Sequence, residues 1–210
     1  MSNTTVVYFT SNQEELSFEE KIRNKLLQTI GDIPLISVSQ KPIDFGKNIC
    51  VGDIGVTNQN AWRQLQIGAQ AAKTKFICAA ESDYLYPREY FDFIPETDDV
   101  AYRPDEVWVL FARRSKVKIF AKKPRGTETT IVVGRGYLID AIGNMLGEEM
   151  WGNEYVDQSL IKYSFFHNTI PIVTFKTDNN MHRKVPYEKP SVCREIPYWG
   201  NSHDLIREYS

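Results

Sequence analysis

The sequence predicts an α/β fold in which a mixed, mainly parallel sheet is flanked by helices and followed by an irregular C-terminal flap. Three observations carry this. Through the first half, β-branched apolar runs alternate with segments of helical period, in the order strand, helix, strand, helix, strand. Right-handed crossovers between such strands place their C-terminal ends on one edge of the sheet. Hydrophobic residues make up 42% and charged residues 25% of the 210 positions, enough apolar material for a buried core in one domain.

The elements follow in order. Thr4 to Ser11 (TTVVYFTS) is β-branched and aromatic and predicts a buried strand. From Glu14 to Ile30, apolar residues recur at Phe18, Ile22, Leu26, Leu27 and Ile30, which is helical spacing, and Gly31 ends the helix. Ile33 to Ser39 is a second strand. Lys41-Pro42 opens a loop running through Gly46, Gly52 and Gly55. A helix over Asn58 to Lys73 leads to a third strand, KFICAA, which ends directly on Glu81-Ser82-Asp83.

The second half is patterned differently. Val107 to Ala112 and Lys116 to Ala121 flank a basic turn and predict a hairpin. Thr129 to Val133 is a strand, Gly136 to Leu146 a helix stopped by Gly147, Glu154 to Phe165 a further helix, and IPIVTF a last strand. The tail after Thr177 contains prolines and shows no clear period. The expected organisation is one domain over 1–210, with a ligand-binding half at 1–95 and an acceptor-binding half at 96–210.

Composition excludes several classes. No apolar run approaches the ~18 residues of a membrane span, and the N-terminus lacks the pattern of a secretory signal. Cys50, Cys78 and Cys193 are too few and too scattered for a disulfide framework or a zinc site, and the first two read as buried thiols in a reducing cytoplasm. A net charge of −2 argues against general nucleic-acid binding, yet no acid occurs between Glu106 and Glu128. That window holds Arg113, Arg114, Lys116, Lys118, Lys122, Lys123 and Arg125, either a solvated hairpin or a polyanion-contacting surface.

The sharpest chemical signal is Glu81-Ser82-Asp83. Open α/β sheets bind ligands at the carboxyl edge of their strands, and these acids stand where a buried strand emerges. Hard divalent cations take such oxygens together with those of a diphosphate. Loop acids solvated at a turn are the plain alternative.

The stretch Asn58–Pro87 (NQNAWRQLQIGAQAAKTKFICAAESDYLYP) resembles family-2-like glycosyltransferases of the GT-A fold, which have a Rossmann-like sheet. That family carries A-R-N-x-G-I-x-x-A, then an apolar strand, then D-x-D or E-x-D and a proline. Here Ala61, Arg63, Gln64, Gly68, Ala71, Ala72, Glu81, Asp83 and Pro87 stand in that order. The first half matches well and the second half loosely, and the whole is similar to compact bacteriophage glycosyltransferases. The resemblance implies a donor nucleotide diphosphate sugar, a UDP-sugar first, and Mn²⁺ or Mg²⁺. It places Thr10 and Ser11 by the base and ribose, and Arg63 toward the nucleotide. Asp83 falls on the metal, with Glu81 near the ribose or a water. Gln40 stands where the family often has an acid for the base, which puts uracil specificity in doubt.

A second constellation is Trp151–Asp157 (WGNEYVD). Inverting relatives carry a carboxylate there that takes the acceptor's proton, so Asp157 or Glu154 is the candidate general base. Acids in a helix's first turn also serve its dipole. His182, in the tail, stands where the family often adds a metal or diphosphate ligand. His167 reads as structural. Trp151 is the candidate acceptor contact, and Trp108 reads as core. Should the acceptor be a hydroxymethylated base in phage DNA, Arg113, Arg114 and Lys116 would meet its backbone. A protein or glycan acceptor is the alternative. A sugar nucleotidyltransferase is disfavoured because TSNQEEL after the first strand is not a glycine-rich phosphate loop. A module that only binds DNA or sugar is the reading outside enzymes.

Overall fold

A computed structural model describes residues 3–111, 118–123, 127–148, 150–152, 156, 158–179 and 191–210. The first half runs β1 (Thr4–Thr10), α1 (Leu16–Ile30), β2 (Leu35–Ser39), β3 (Lys47–Cys50), α2 (Asn58–Ala71), β4 (Phe76–Glu81), β5 (Tyr84–Leu85) and α3 (Arg88–Asp92). Then come β6 (Ala101–Pro104), β7 (Val107–Phe111), β8 (Phe120–Lys122), β9 (Val132–Gly134), α4 (Arg135–Leu146) and a 3-10 turn at Gln158–Leu160. The chain closes with β10 (Tyr163–Phe166), β11 (Ile172–Lys176), β12 (Val192–Cys193), β13 (Glu195–Ile196), β14 (Gly200–Asn201) and α5 (Ser202–Tyr209).

A seven-stranded sheet has the order β10-β6-β9-β4-β1-β2-β3, and only β9 runs against its neighbours. The fold class is therefore the one predicted. A second sheet, β12-β8-β7-β11-β5, adjoins it. Strand alternation sends side chains to opposite faces, and the cores obey it. Val7, Phe9, Ile77 and Ala79 pack with Trp62, Leu65, Leu138 and Ile142 of α2 and α4. Val6, Tyr8, Cys78 and Ala80 face the other way, against Leu26 and Ile30 of α1 and Tyr90 and Phe91 of α3. The second sheet packs on Phe18, Ile22, Leu205 and Tyr209.

Local chemistry sets the helix ends. The Thr57 hydroxyl accepts the Asn60 N–H at 3.1 Å and caps α2. Gly31, at φ 57°, closes α1 by donating to Leu27. Gly68 lets α2 lie close on β1, since a Cβ there would stand 2.3 Å from Val7 Cγ1.

Several expectations needed correction. No helix covers 158–165: a single 3-10 turn gives way to β10, which pairs with β6. The aromatic run Tyr163–Phe166 has strand propensity that outweighed a weak helical period. The loop after β2 contains β3, and the C-terminal tail contains α5, whose Leu205 and Tyr209 are buried. The β7–β8 hairpin exists with Leu110 opposite Phe120, so its second strand begins later than expected. Cys50 is exposed. Trp108 is only half-buried and its indole N–H donates to Glu106 Oε2 at 3.3 Å. His167 follows a strand and is exposed, with Nδ1 3.2 Å from Asp105 Oδ2.

Candidate active site

The connection from β1 runs to β2 on one side, whereas β4 lies on the other. Such a reversal of strand order opens a crevice beyond the carboxyl ends of the two strands. Register aligns Phe9 with Glu81 and Thr10 with Ser39, so the residues after β1, β2 and β4 meet on that edge. Ser11, Gln40 and Ser82-Asp83 are those residues. Glu81 ends β4 in the large sheet, and three residues later Tyr84 opens β5 in the small one. The acidic pair thus straddles the step between the sheets.

Neighbouring chain pins both acids. Glu81 Oε1 accepts hydroxyls from Thr129 at 2.7 Å and Thr130 at 3.2 Å, and its N–H donates to Tyr86 Oη at 3.0 Å. Asp83 carbonyl accepts the Phe175 N–H at 2.8 Å, and its Oδ2 lies 3.5 Å from Thr174 Oγ1. Both carboxylates keep some solvent access, yet protein surrounds them. Burial pushes the Asp83 carboxyl up to about 7, reinforced by Glu81 and opposed by Lys176. Burial raises Glu81 as well, with Thr129 and Lys123 pulling it back. Two ammonium groups therefore face the pair. Burial lowers Lys123, with Glu81 and Asp83 opposing; burial likewise lowers Lys176, with Asp83 opposing.

The residues expected on the nucleotide side form a braced wall. Thr10 is buried and its hydroxyl accepts the Asn12 N–H at 2.9 Å. Asn12 sits at φ 54°, and its Oδ1 accepts from the N–H groups of Gln40 and Lys41 at 2.9 and 2.8 Å, tying the ends of β1 and β2 together. Asn is among the few residues that tolerate that backbone region. Ser11 is half-exposed beside it. Gln40 is buried: its Nε2 donates to Gly55 carbonyl at 2.8 Å and its Oε1 accepts from Ile54. Its amide thus holds the 51–57 loop.

Arg63 has a different environment from the one expected. It is buried on α2, and its guanidinium donates to Gln66 Oε1 at 2.6 Å, Met150 carbonyl at 3.2 Å and Gly147 carbonyl at 3.2 Å. Thr57 Oγ1 donates to Gly152 carbonyl, whose own N–H donates to Asn60 Oδ1 at 3.0 Å. The first turns of α2 therefore clamp 147–152, the segment bearing half-buried Trp151. Beyond it, Val156 is buried in the core, and Gln158 Nε2 donates to Glu128 Oε2 at 2.7 Å. Glu128 precedes Thr129, the Glu81 partner. Arg103 lies over the Tyr163 ring at 3.2 Å and donates to Gln158 Oε1 at 3.3 Å.

Glu154 and Asp157, His182, and Arg113, Arg114 and Lys116 lie outside the described residues. Of the three described lysines in the basic window, Lys118, Lys122 and Lys123, Lys122 pairs with Glu106, and the charge of Lys123 acts on Glu81 and Asp83.

Sequence reading missed Asn12, Thr129, Thr130, Thr174 and Lys176, and it counted Lys123 only as part of a charge run. For Asn12, Lys123 and Lys176 the signal was positional, since each stands at or beside a strand end.

The family resemblance implies a divalent cation here. The Asp83 and Glu81 carboxylates are the donors that would hold it, together with the oxygens of a diphosphate, and His182 lies outside the described residues. Among the described residues no group of three or more His, Cys, Asp or Glu side chains could hold a metal. Nor, among them, is any helix long and apolar enough to cross a membrane.

Comparison with known proteins finds no matching family model and no match among curated proteins. Solved structures with a similar chain path include the bifunctional IspDF of Campylobacter jejuni, at 14% identity and a TM-score of 0.44, over 80% of this chain and 50% of that one. S. aureus TarS 1-349 in complex with UDP-GlcNAc matches at 12% identity and a TM-score of 0.46, over 84% of this chain and 59% of that one. A glycosyltransferase involved in glycosylation of the major capsid of PBCV-1 matches at 14% identity and a TM-score of 0.44, over 81% of this chain and 92% of that one. The chain thus spans about half the length of the Campylobacter protein and 36% of a longer TarS chain.

Proposed function

We propose that this chain is a glycosyltransferase that moves a sugar from a nucleotide diphosphate donor to a hydroxyl acceptor. The observation that carries the reading is the position of Glu81 and Asp83, held side by side at the reversal of strand order, where open α/β sheets bind nucleotides. Thr10, Ser11 and Asn12 form the adjoining wall for base and ribose. UDP-sugars head the donor panel, in keeping with the resemblance of 58–87.

The acceptor side is the segment after α4. The clamp by Thr57, Asn60 and Arg63 and the Gln158–Glu128 bond beside Thr129 support that reading. In transfer, the acceptor oxygen bonds to the anomeric carbon and the bond from that carbon to the diphosphate oxygen breaks. The electron pair leaves on the diphosphate. The acceptor proton passes to Asp157, or to Glu154, as general base. No step is assigned to a metal, and its contribution is an outcome of the tests. Hydroxymethylated pyrimidine DNA is the first acceptor to try, with protein and glycan hydroxyls next.

The test is calorimetric titration of nucleotide sugars in EDTA and in Mn²⁺, followed by turnover with the acceptor panel. One donor binds the wild type. Asp157→Asn keeps that affinity while kcat falls ~100- to 10,000-fold. If no nucleotide sugar binds under either condition, the reading is wrong.

A further inference from the structure

We propose that Glu128 binds the acceptor of the transfer, and that this acceptor is a sugar. The inference rests on the transferase reading and names a residue and a substrate class for its acceptor side.

The backbone sets Glu128 beside the acidic edge. In the turn 127–130, Thr130 N–H donates to Thr127 Oγ1 at 2.9 Å. The three threonines of that turn are buried, and Thr129 and Thr130 donate to Glu81 Oε1. Glu128 is the exposed residue of the turn and immediately precedes Thr129. On its other side lies α2. That helix connects the parallel strands β3 and β4, so its first turn opens at the carboxyl edge of the sheet.

The Glu128 carboxylate is held from two elements. Its Oε2 accepts from Gln158 Nε2 at 2.7 Å and from Asn58 Nδ2, at the start of α2, at 3.2 Å. Gln158 is braced in turn, since its Oε1 accepts from Tyr163 Oη and from Arg103, both at 3.3 Å. Arg103 also donates to the Glu128 carbonyl at 3.4 Å. An exposed glutamate ordinarily keeps its rotamer freedom in water. Here a network of side chains fixes it, as the orientation of a ligand requires. Both amide donors fall on Oε2. Among the described residues Oε1 accepts no hydrogen bond.

The chemistry of this shelf selects the ligand. An ionised carboxylate only accepts, and its bond to a hydroxyl is charge-assisted. Oε1 therefore suits a ligand that brings hydroxyl protons. The phosphates of a nucleic-acid backbone bring none and carry the same sign of charge. The turn of α2 that supplies Asn58 also supplies Thr57 and Asn60, which hold Gly152, the neighbour of half-buried Trp151. A carboxylate, side-chain amides and an indole stand around that one turn. Together they fit a molecule with hydroxyls on its rim and C–H groups on its faces, which is a pyranose.

The test uses the full chain with the nucleotide sugar that binds it. Acceptors are the methyl glycosides of glucose, galactose, mannose and N-acetylglucosamine, beside a DNA duplex containing hydroxymethylcytosine. Release of nucleoside diphosphate gives kcat and KM for each acceptor, and calorimetry gives the donor Kd. The expected result is transfer to at least one glycoside. Glu128→Ala raises the KM for that glycoside ~10- to 100-fold, and Glu128→Gln raises it less. In both variants kcat and the donor Kd stay within about twofold of the wild type, because the lost contact is made equally before and during transfer. Gln158→Ala, which loosens the brace, raises the same KM ~3- to 10-fold. A wild-type KM in Glu128→Ala overturns the inference, and so does a parallel loss of donor affinity, which would put Glu128 on the donor side. A wild type that binds the donor but transfers only to DNA, or to none of these acceptors, overturns it too and leaves donor binding standing. If no nucleotide sugar binds, the transferase reading falls with it. Should Glu128→Ala lose the wild-type thermal transition, Glu128→Gln decides, and a KM that does not move in that variant overturns the assignment.

Discussion

Replacing Asp83 by Asn should stabilise the protein at high pH and do so only there. The carboxyl ordinarily titrates near 3.8 and is pushed up to about 7 by burial and by Glu81. The folded state thus holds this proton more tightly than the unfolded chain. That contribution is fully present below pH ~4 and is lost as pH rises through ~7. Three pKa units at about 1.36 kcal/mol each set an upper bound of about 4 kcal/mol. Partial solvent access and the nearby ammonium groups, with the effective dielectric they imply, reduce this to ~1–2 kcal/mol. Asn keeps the shape and cannot ionise. In urea titrations with EDTA, Asp83→Asn should exceed the wild type by ~1–2 kcal/mol at pH 8, or ~2–8 °C in Tm for a chain of this size. The advantage should shrink at pH 5 and vanish below pH ~4. A gain independent of pH, or a loss at pH 8, would refute the argument that the cost lies in burying this charge. Substrate binding should fall in the same variant, because sites that hold strained charge trade stability for function.

Two further outcomes follow from packing. Gly68→Ala places a methyl 2.3 Å from Val7 Cγ1, where α2 meets β1. Overpacking there should cost ~1–3 kcal/mol in urea denaturation, and an unchanged midpoint would show that the helix shifts freely. Arg63→Ala leaves the carbonyls of Gly147 and Met150 without this donor. It should lower stability by ~1–3 kcal/mol and speed limited proteolysis within 147–152, and cleavage at the wild-type rate would mean the clamp is dispensable.

Most of the fold was legible in the sequence, because burial leaves a period. Val6 to Phe9 lie on both faces of a covered strand and read as a continuous apolar run, while α1 buries one stripe. Glu81 and Asp83 were legible for a related reason: two acids directly after KFICAA stand where a buried strand must surface. Reading failed where local preference was weak or split. The 158–166 segment carries scattered apolar residues that fit a helix as well as a strand, and pairing with β6 decided the matter. α5 went unseen because eight residues offer too short a period to recognise, and its burial depends on the second sheet.

What the sequence determined by itself was the alternation of elements and the acidic edge, since periodicity and strand ends are properties of short stretches of chain. What only the tertiary structure decided was the company those acids keep. Thr129 and Thr130 are 48 and 49 residues from Glu81, and Thr174 is 91 residues from Asp83. Lys123 directly follows β8 and Lys176 ends β11, both in the second sheet. Arg63, which the motif resemblance sets toward the nucleotide, donates to carbonyls 84 and 87 residues away. A carboxylate's neighbours set its charge and its ligand, and only strand pairing across long separations selects those neighbours.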